Sequence, residues 1–268
     1  METNTEAKSI LAQIVERRRE SISHRKRVLP DVALKIAVER KSAPVRDFAA
    51  ALMRDGLNVI AELKKASPSR GLLRQDYQPV KIAPELERSG AVALSVLTEE
   101  DFFQGSLADL KGVAKATRVP ILRKDFIVDP WQVWEARAAN ADAFLLIAAI
   151  LDDSGLRNLL ELGRQVGMDA LVEVHSKEEL KRAIEAGVKI VGVNNRDLKS
   201  FDVRLETSLE LAELIPEECI AVSESGIRTH DDLLQLRKAG FDAFLVGEQL
   251  MTEPDPAAAL AGILGTQK

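Results

Sequence analysis

The stretch SGAVALSV at residues 89–96 joins the end of a predicted helix to an apolar strand through a short turn. Similar stretches recur at 139–147 (ANADAFLLI), 186–193 (AGVKIVGV) and 239–247 (AGFDAFLVG). In each of them a small or polar pair precedes a run that is apolar at almost every position. Strands that are apolar on both faces are typical of a parallel sheet covered by helices. The pattern therefore predicts a repeated βα unit of about 20–33 residues.

The same unit can be followed along most of the chain. Predicted strands cover 58–63, 91–97, 119–124, 142–148, 169–174, 189–194, 219–224 and 243–247. Predicted helices cover 5–28, 31–41, 45–54, 79–88, 106–116, 130–139, 153–166, 177–185, 207–214 and 230–238. Two of these helices start at capping-box spacing, Ser176 with Glu179 and Thr229 with Asp232. About eight such units predict an α/β fold, a single (β/α)8 TIM barrel with an extra N-terminal helical segment.

Two other architectures fit the pattern less well. A doubly wound open sheet usually carries a GxGxxG fingerprint after its first strand, and that motif is absent. Two small domains would need a linker, but no Pro/Gly/Ser-rich stretch interrupts the repeat. We therefore expect one barrel domain over residues 1–268, with residues 1–45 as an N-terminal helical extension.

The composition argues against several classes of protein. The 268 residues are 46% hydrophobic with a net charge of −5, which allows a sizeable core. Few aromatic residues (4%) and no long basic run argue against a nucleic-acid partner, and we interpret Arg17-Arg18-Arg19 as a solvated helix face. There is no signal-peptide core and no apolar run of membrane-spanning length. Together with the single cysteine, Cys219, this predicts a cytoplasmic protein without a membrane partner.

Polar side chains follow six of the predicted strands. A single charge at a strand end is usually solvated or salt-bridged, but the strands of a closed barrel bring their carboxyl ends together. The groups that would meet there are Glu62 and Lys64, Arg123 to Asp125, Glu173, Asn194 to Asp197, Ser223 to Gly226, and Gly247 with Glu248. The sequence therefore predicts a polar site at the C-terminal mouth of the barrel.

Two lysines and two glutamates stand out in this set. We expect Lys64 and Lys124 to meet Glu62 and Glu173, with opposite charges keeping each other ionised and partial burial lowering a lysine pKa towards the working range. These groups can perform general acid–base chemistry without a cofactor, and a Schiff base on either lysine is a chemical alternative.

A metal site is not expected. The three histidines, His24, His175 and His230, are scattered, and none has metal-ligand spacing with a cluster of Cys, Asp or Glu.

Glycines follow the last two predicted strands. Gly226 and Gly247 come where backbone N–H groups can face an anion, with Ser225 and the Ser67-Pro68-Ser69 loop nearby. Because the loops after strands seven and eight of this fold frequently bind phosphate, the sequence predicts a phosphorylated small-molecule substrate.

Several long motifs carry a resemblance to a known family. They are SILAQIVERRR (9–19), IAELKKASPSRG (60–71), LTEEDFFQGS (97–106), PILRKDFIVDPWQ (120–132), LVEVH (171–175), GVNNRDL (192–198), SESGI (223–227) and VGEQLM (246–251). In these motifs the chain resembles indole-3-glycerol phosphate synthase nearly from end to end. The resemblance implies a carboxy-lyase of tryptophan biosynthesis. Such an enzyme converts 1-(2-carboxyphenylamino)-1-deoxyribulose 5-phosphate into indole-3-glycerol phosphate, carbon dioxide and water, with no metal or organic cofactor.

The resemblance also implies roles for individual residues. Lys124 matches the general acid of ring closure, and Glu173 matches the base of the dehydration. Lys64 matches the partner of the substrate carboxylate. The residues that would orient the substrate are Glu62, Asn194 and Arg196, and the slot for its aromatic ring would be formed by Phe103 and Phe126. The phosphate end of the substrate would be bound by Ser67, Ser225, Gly226, Gly247 and Glu248. Glu224 joins this substrate-binding set, and the N-terminal helix would lie over the barrel mouth.

Three alternatives remain open. A Schiff-base aldolase would use Lys124 on the same phosphate-binding barrel. An isomerase like phosphoribosylanthranilate isomerase would need a cysteine–aspartate pair at the mouth, whereas Cys219 comes at the start of a strand. A non-catalytic phosphate-binding barrel would have little use for two lysines and two glutamates. We expect a monomer or a weak homo-oligomer.

Overall fold

Eight parallel strands form a closed barrel, in which β1 pairs with both β2 and β8. The computed structural model describes residues 9–41, 43–197 and 200–266. The barrel strands are β1 (Asn58–Leu63), β2 (Ala93–Leu97), β3 (Ile121–Lys124), β4 (Ala143–Ile147), β5 (Asp169–Val174), β6 (Ile190–Asn194), β7 (Ile220–Glu224) and β8 (Ala243–Val246). The predicted TIM barrel is confirmed, and several strands begin one or two residues later than predicted.

Helices alternate with the strands, and further helices precede the first barrel strand and follow the last one. They are α1 (Ile10–Val28), α2 (Asp31–Lys41), α3 (Phe48–Leu52), α4 (Pro79–Arg88), α5 (Leu107–Ala116), α6 (Pro130–Ala138), α7 (Asp153–Gln165), α8 (Lys177–Glu185), α9 (Glu206–Ala212), α10 (His230–Lys238), α11 (Glu248–Thr252) and α12 (Pro256–Leu264).

The sequence analysis missed three of these features. No element was predicted after the last strand, where α11 and α12 follow, and the segment Ser67-Pro68-Ser69 was predicted to be a loop. There the chain forms a hairpin of two short antiparallel strands, Ala66–Ser67 and Gly71–Leu72. Such short elements carry too few residues for a periodic pattern. The predicted start of α1 at residues 5–8 lies outside the described residues, and the domain limits stay a prediction.

The barrel interior explains where the polar site lies. Ile60, Leu122, Leu171 and Val222 belong to one buried apolar cluster, which α3 extends through Phe48 and Leu52. A second, larger cluster fills the space between the strands and the helices. Because strand residues two apart share a face, the next inward residues on these four strands are Glu62, Lys124, Glu173 and Glu224. The charged groups thus form the layer directly above the apolar interior.

Helix α1 lies at the barrel mouth, where Ile10, Leu11 and Ile14 line the same cavity as the strand-end residues. Its attachment corrects one expectation: Arg18 is only 2% exposed, and its guanidinium donates two hydrogen bonds to the carboxylate of Asp125. Arg18 lies one turn after Ile14 on the buried face of α1, so the arginine cluster is not a uniformly solvated face. The helix therefore contacts the residue that follows Lys124.

Two further features are absent from the residues that the structure describes. None of their helices is long and apolar enough to cross a membrane. Nor do they include a group of three or more His, Cys, Asp or Glu side chains arranged to hold a metal ion.

Candidate active site

The predicted site residues lie together. Twelve of them line one cavity at the barrel mouth: Glu62, Lys64, Ser67, Phe103, Lys124, Phe126, Glu173, Asn194, Arg196, Glu224, Ser225 and Glu248. The other two, Gly226 and Gly247, line an adjoining cavity that shares Glu62, Lys64 and Arg196 with the first. The structure thus brings the whole predicted set to one end of the barrel, while the role of each residue stays a prediction.

The first lysine is paired with the glutamate two residues before it. The expected meeting of a lysine with Glu62 is found here, because Lys64 Nζ lies 2.7 Å from Glu62 Oε1. The Glu62 side chain is 5% exposed and that of Lys64 15%. A second carboxylate or a phosphate arriving here would therefore meet a lysine that already has one partner and is held in place by it.

The second lysine has two carboxylate partners. Lys124 Nζ lies 2.9 Å from Glu173 Oε2 and 3.2 Å from Glu224 Oε2, and both glutamate side chains are almost fully buried. The sequence analysis paired Lys124 with Glu173 and counted Glu224 only among the substrate-binding residues. The contact with Glu224 joins residues 100 positions apart along the chain, so no local pattern could have indicated it.

The pKa of Lys124 differs in direction from the expectation. Burial disfavours its ammonium, but the carboxylates of Glu173, Glu224 and Glu62 outweigh burial and raise the pKa above its usual value. The expected lowering of this pKa is therefore wrong, because three nearby negative charges stabilise the charged form more than burial destabilises it. A lysine held as ammonium is suited to donate a proton and poorly suited to attack a carbonyl carbon.

The two glutamates beside Lys124 are shifted in opposite directions. Burial raises the pKa of Glu173, but Lys124 and His175 more than offset it, so this pKa lies below its usual value. Burial is also the main influence on Glu224, where repulsion from Glu173 adds to it and raises the pKa to about 7. Titratable pairs whose environments separate their pKa values in this way are typical of acid–base sites.

The Glu224 carboxylate has room only because residue 192 is glycine. A Cβ at Gly192 would lie 2.1 Å from Glu224 Oε1, closer than real Cβ contacts come. Neither carboxylate oxygen of Glu224 has a hydrogen-bond partner with good geometry among the described residues. The buried carboxylate is thus held by its ion-pair contact with Lys124 rather than by hydrogen bonds.

At the other end of the site, two arginines form ion pairs with the carboxylate of Glu248. Arg70 Nε lies 3.0 Å from Glu248 Oε1, and an Nη of Arg196 lies 2.9 Å from Glu248 Oε2. We predicted Glu248 at the phosphate end; the structure shows its carboxylate orienting the two guanidiniums. Gly247 next to it allows close approach, since a Cβ there would lie 2.4 Å from Glu62 Oε1.

Apolar groups line the remaining wall. The rings of Phe103 and Phe126 are tilted by 40° to each other with centroids 5.9 Å apart, and Ile10 and Leu11 of α1 line the same cavity. The phenylalanines come from the loops after β2 and β3, so they reach the mouth above Lys124. A flat aromatic group can be buried between this wall and the charged layer.

A network of buried ion pairs and hydrogen bonds is centred on Asp125, the residue that follows Lys124. Asp125 accepts hydrogen bonds from Thr98 Oγ1 at 2.5 Å and from Arg123 at 2.9 Å, in addition to those from Arg18. Burial alone would raise the pKa of Asp125, but Arg18 and Arg123 lower it to about 2. The sequence analysis noted Arg123 and Asp125 only as strand-end charges. Their partners lie on α1, directly after β2 and on α6, which only the tertiary structure brings together.

Comparison with known proteins agrees with this geometry. Residues 11–263 match the family model described as indole-3-glycerol phosphate synthase. A protein of that name from Pelodictyon phaeoclathratiforme is 52% identical over 80% of this chain and 84% of its own. Another, from Rhodococcus opacus, is 48% identical over 96% of this chain and 95% of its own.

Among solved structures, 3-hexulose-6-phosphate synthase from Salmonella typhimurium is similar with a TM-score of 0.64. It is 12% identical and covers 78% of this chain and 98% of its own, so it shares the fold alone. The family match over nearly the full length and relatives 48–52% identical identify the chain more closely: it belongs to the indole-3-glycerol phosphate synthase family.

Proposed function

We propose that this protein is an indole-3-glycerol phosphate synthase, a carboxy-lyase of class EC 4.1.1.48 in tryptophan biosynthesis. The observation that carries the proposal is the buried ammonium of Lys124, 2.9 Å from Glu173 Oε2 in the layer above the barrel interior. An acid and a base in direct contact inside a largely enclosed site can protonate and deprotonate one small substrate in turn.

Ring closure comes first in the proposed reaction. The aromatic carbon of the substrate attacks the ketone carbon while Lys124 donates a proton to the ketone oxygen, which becomes a hydroxyl. The raised pKa of Lys124, which the glutamates cause against the effect of burial, keeps this proton in place until the substrate arrives. The Phe103 and Phe126 rings would hold the aromatic ring during the attack.

Loss of carbon dioxide and then of water completes the indole. In the dehydration Glu173 removes a proton from the ring-closed intermediate as the hydroxyl leaves as water, and a lysine supplies the proton that the hydroxyl needs. We assign Lys64, which lines the same cavity as Lys124, to the substrate carboxylate and to this second proton donation. Glu62, Asn194 and Arg196 would orient the substrate.

The phosphate would lie at the end of the site where Arg70 and Arg196 meet, with Ser67, Ser225, Gly226 and Gly247 around it. Both guanidiniums are oriented by Glu248, and planar guanidiniums suit the bidentate recognition of phosphate oxygens. We further propose that the protein works in the cytoplasm as a monomer or weak homo-oligomer, without nucleic acid, membrane or cofactor.

A Schiff-base aldolase is the main alternative chemistry. It requires a neutral lysine, whereas the surrounding carboxylates favour the ammonium of Lys124. Borohydride reduction in the presence of substrate distinguishes the Schiff-base mechanism from the acid–base mechanism. We expect no reduced adduct by mass spectrometry, and a lysine adduct would refute the acid–base mechanism.

The direct test is indole fluorescence when the purified protein meets the carboxyphenylamino-deoxyribulose phosphate. We expect turnover in the presence of chelator, and a loss of at least about 100-fold in Lys124→Ala, the low end for removing a general acid. Glu173→Gln should lose activity by a similar factor, while Lys181→Ala, at an exposed lysine of α8, should lose none. No product from the wild type would refute the proposed function, and full activity in Lys124→Ala would refute the assigned acid.

A further inference from the structure

His175 lies just beyond β5 and takes no part in the proposed reaction. Its side chain is 12% exposed and stands between two carboxylates. Nδ1 lies 3.2 Å from Glu179 Oε2, and Nε2 lies 3.4 Å from Glu173 Oε1. Glu173 is thus approached by His175 at Oε1 and by Lys124 at Oε2.

Hydrogen-bond chemistry determines which ring nitrogen carries a proton. An ionised carboxylate can only accept, so the Nδ1 atom that contacts Glu179 must donate. Nε2 makes no hydrogen bond among the described residues, so its 3.4 Å approach to Glu173 Oε1 is an ion-pair contact. The contact is favourable when Nε2 also carries a proton, that is, when His175 is an imidazolium.

Glu179 is held in position by the start of α8. Ser176 is the N-cap residue, and its Oγ accepts from the Glu179 backbone N–H at 3.2 Å. The Glu179 carboxylate returns to accept from the His175 backbone N–H at 2.8 Å. The Ser176–Glu179 capping pair, which the sequence analysis used only to mark a helix start, therefore also fixes a carboxylate against the imidazole.

We propose that His175 is a positioning residue for Glu173: anchored by Glu179, it places its positive charge beside Oε1 of Glu173 while Lys124 holds Oε2, so that Glu173 remains an ionised base directed at the substrate. This rests on the proposed function, in which Glu173 removes a proton during dehydration. In metal sites, comparable contacts behind a ligating side chain fix its orientation and tune its basicity.

The charges around the histidine support this arrangement. Three carboxylates influence it: Glu173 on β5, Glu179 on α8 and Glu224 on β7. Burial lowers the pKa of His175, but these three groups outweigh burial and raise it. In turn, burial raises the pKa of Glu173, and the positive charges of Lys124 and His175 lower it below its usual value.

The pH dependence of kcat/KM tests the proposal. Replacing His175 by glutamine removes a positive charge beside Glu173, which raises the pKa of that base, so the acidic limb should move up by about one pH unit. Glu179→Gln should move the limb in the same direction by less. Glu178→Gln, at an exposed neighbour in the same helical turn, serves as the matched control and should leave it in place. An acidic limb that stays in place in a folded His175→Gln variant would overturn the proposal.

A second measurement does not depend on activity. The pKa of the His175 ring, followed by NMR and assigned with His175→Gln, should fall in both Glu173→Gln and Glu179→Gln and stay unchanged in Glu178→Gln. An unchanged ring pKa in Glu173→Gln would overturn the contact, whatever the enzyme does. Absence of turnover in the wild type, with the ring pKa falling as expected, would instead overturn the proposed function and with it the role of His175.

Discussion

A single methyl group at position 192 should impair catalysis without entering the cavity. Gly192 lies in β6, and its φ is not positive, so the backbone accepts alanine. The new Cβ would lie 2.1 Å from Glu224 Oε1, whereas real Cβ contacts below 3.0 Å essentially never occur. The carboxylate must therefore move by at least about 0.9 Å, the difference between these two distances.

The displacement affects the proposed acid. Glu224 Oε2 is 3.2 Å from Lys124 Nζ, and a shift of this size removes or distorts that contact. Because a misplacement of about 1 Å in a catalytic arrangement can cost about 100-fold, we expect kcat/KM of Gly192→Ala to fall by about 10- to 100-fold. Indole fluorescence measures the rate, and circular dichroism establishes that the variant is folded.

Removing the glutamate provides the control. Because Glu224→Ala already lacks the carboxylate that the methyl group displaces, adding Gly192→Ala to Glu224→Ala should cost little further activity. If Gly192→Ala has wild-type activity, the assigned contribution of Glu224 to Lys124 is wrong. If Gly192→Ala costs as much activity in the Glu224→Ala background as in the wild type, the loss arises from another contact, such as Leu171 Cδ1 at 3.2 Å from the same Cβ.

Two further predictions concern stability. Arg18→Met leaves the buried carboxylate of Asp125 with Arg123 and Thr98 as partners, so urea unfolding should show a loss of about 3 kcal/mol, at the low end for breaking a buried ion pair. The exposed Arg19→Met is its control, and a loss below about 1 kcal/mol in Arg18→Met would contradict a buried pair. Burial raises the pKa of Glu224 to about 7, whereas the unfolded chain releases this proton near pH 4.5. Between these two pH values the folded protein binds the proton more tightly than the unfolded chain, so this group makes stability fall as the pH rises from about 4.5 to about 7. Glu224→Gln removes this effect, so its stability relative to the wild type should be greater at pH 8 than at pH 5; the opposite order would show that Glu224 is ionised and stabilising.

Local patterns were enough to predict the architecture. The recurrence of turn, apolar run and helix determines a βα repeat, because parallel strands must be apolar on both faces. The period of two along a strand places Glu62 with Lys64 on the inward face and Leu63 on the other. The closure of the barrel then brings all the predicted strand-end residues to one mouth. Elements of two to five residues, such as the hairpin at residues 66–72 and α11, carry too little pattern to be predicted.

The tertiary structure decided the electrostatics of the site. The sequence indicated that Lys124 and the glutamates meet, but not that Glu224 lies 3.2 Å from Lys124 or that Arg18 is buried against Asp125. The expected lowering of the Lys124 pKa failed for the same reason. A pKa depends on the balance between burial and every charge within a few ångströms, and those charges come from strands and helices far apart along the chain. Periodicity determines which face a side chain occupies, whereas only the folded chain determines the distances between charges on different strands.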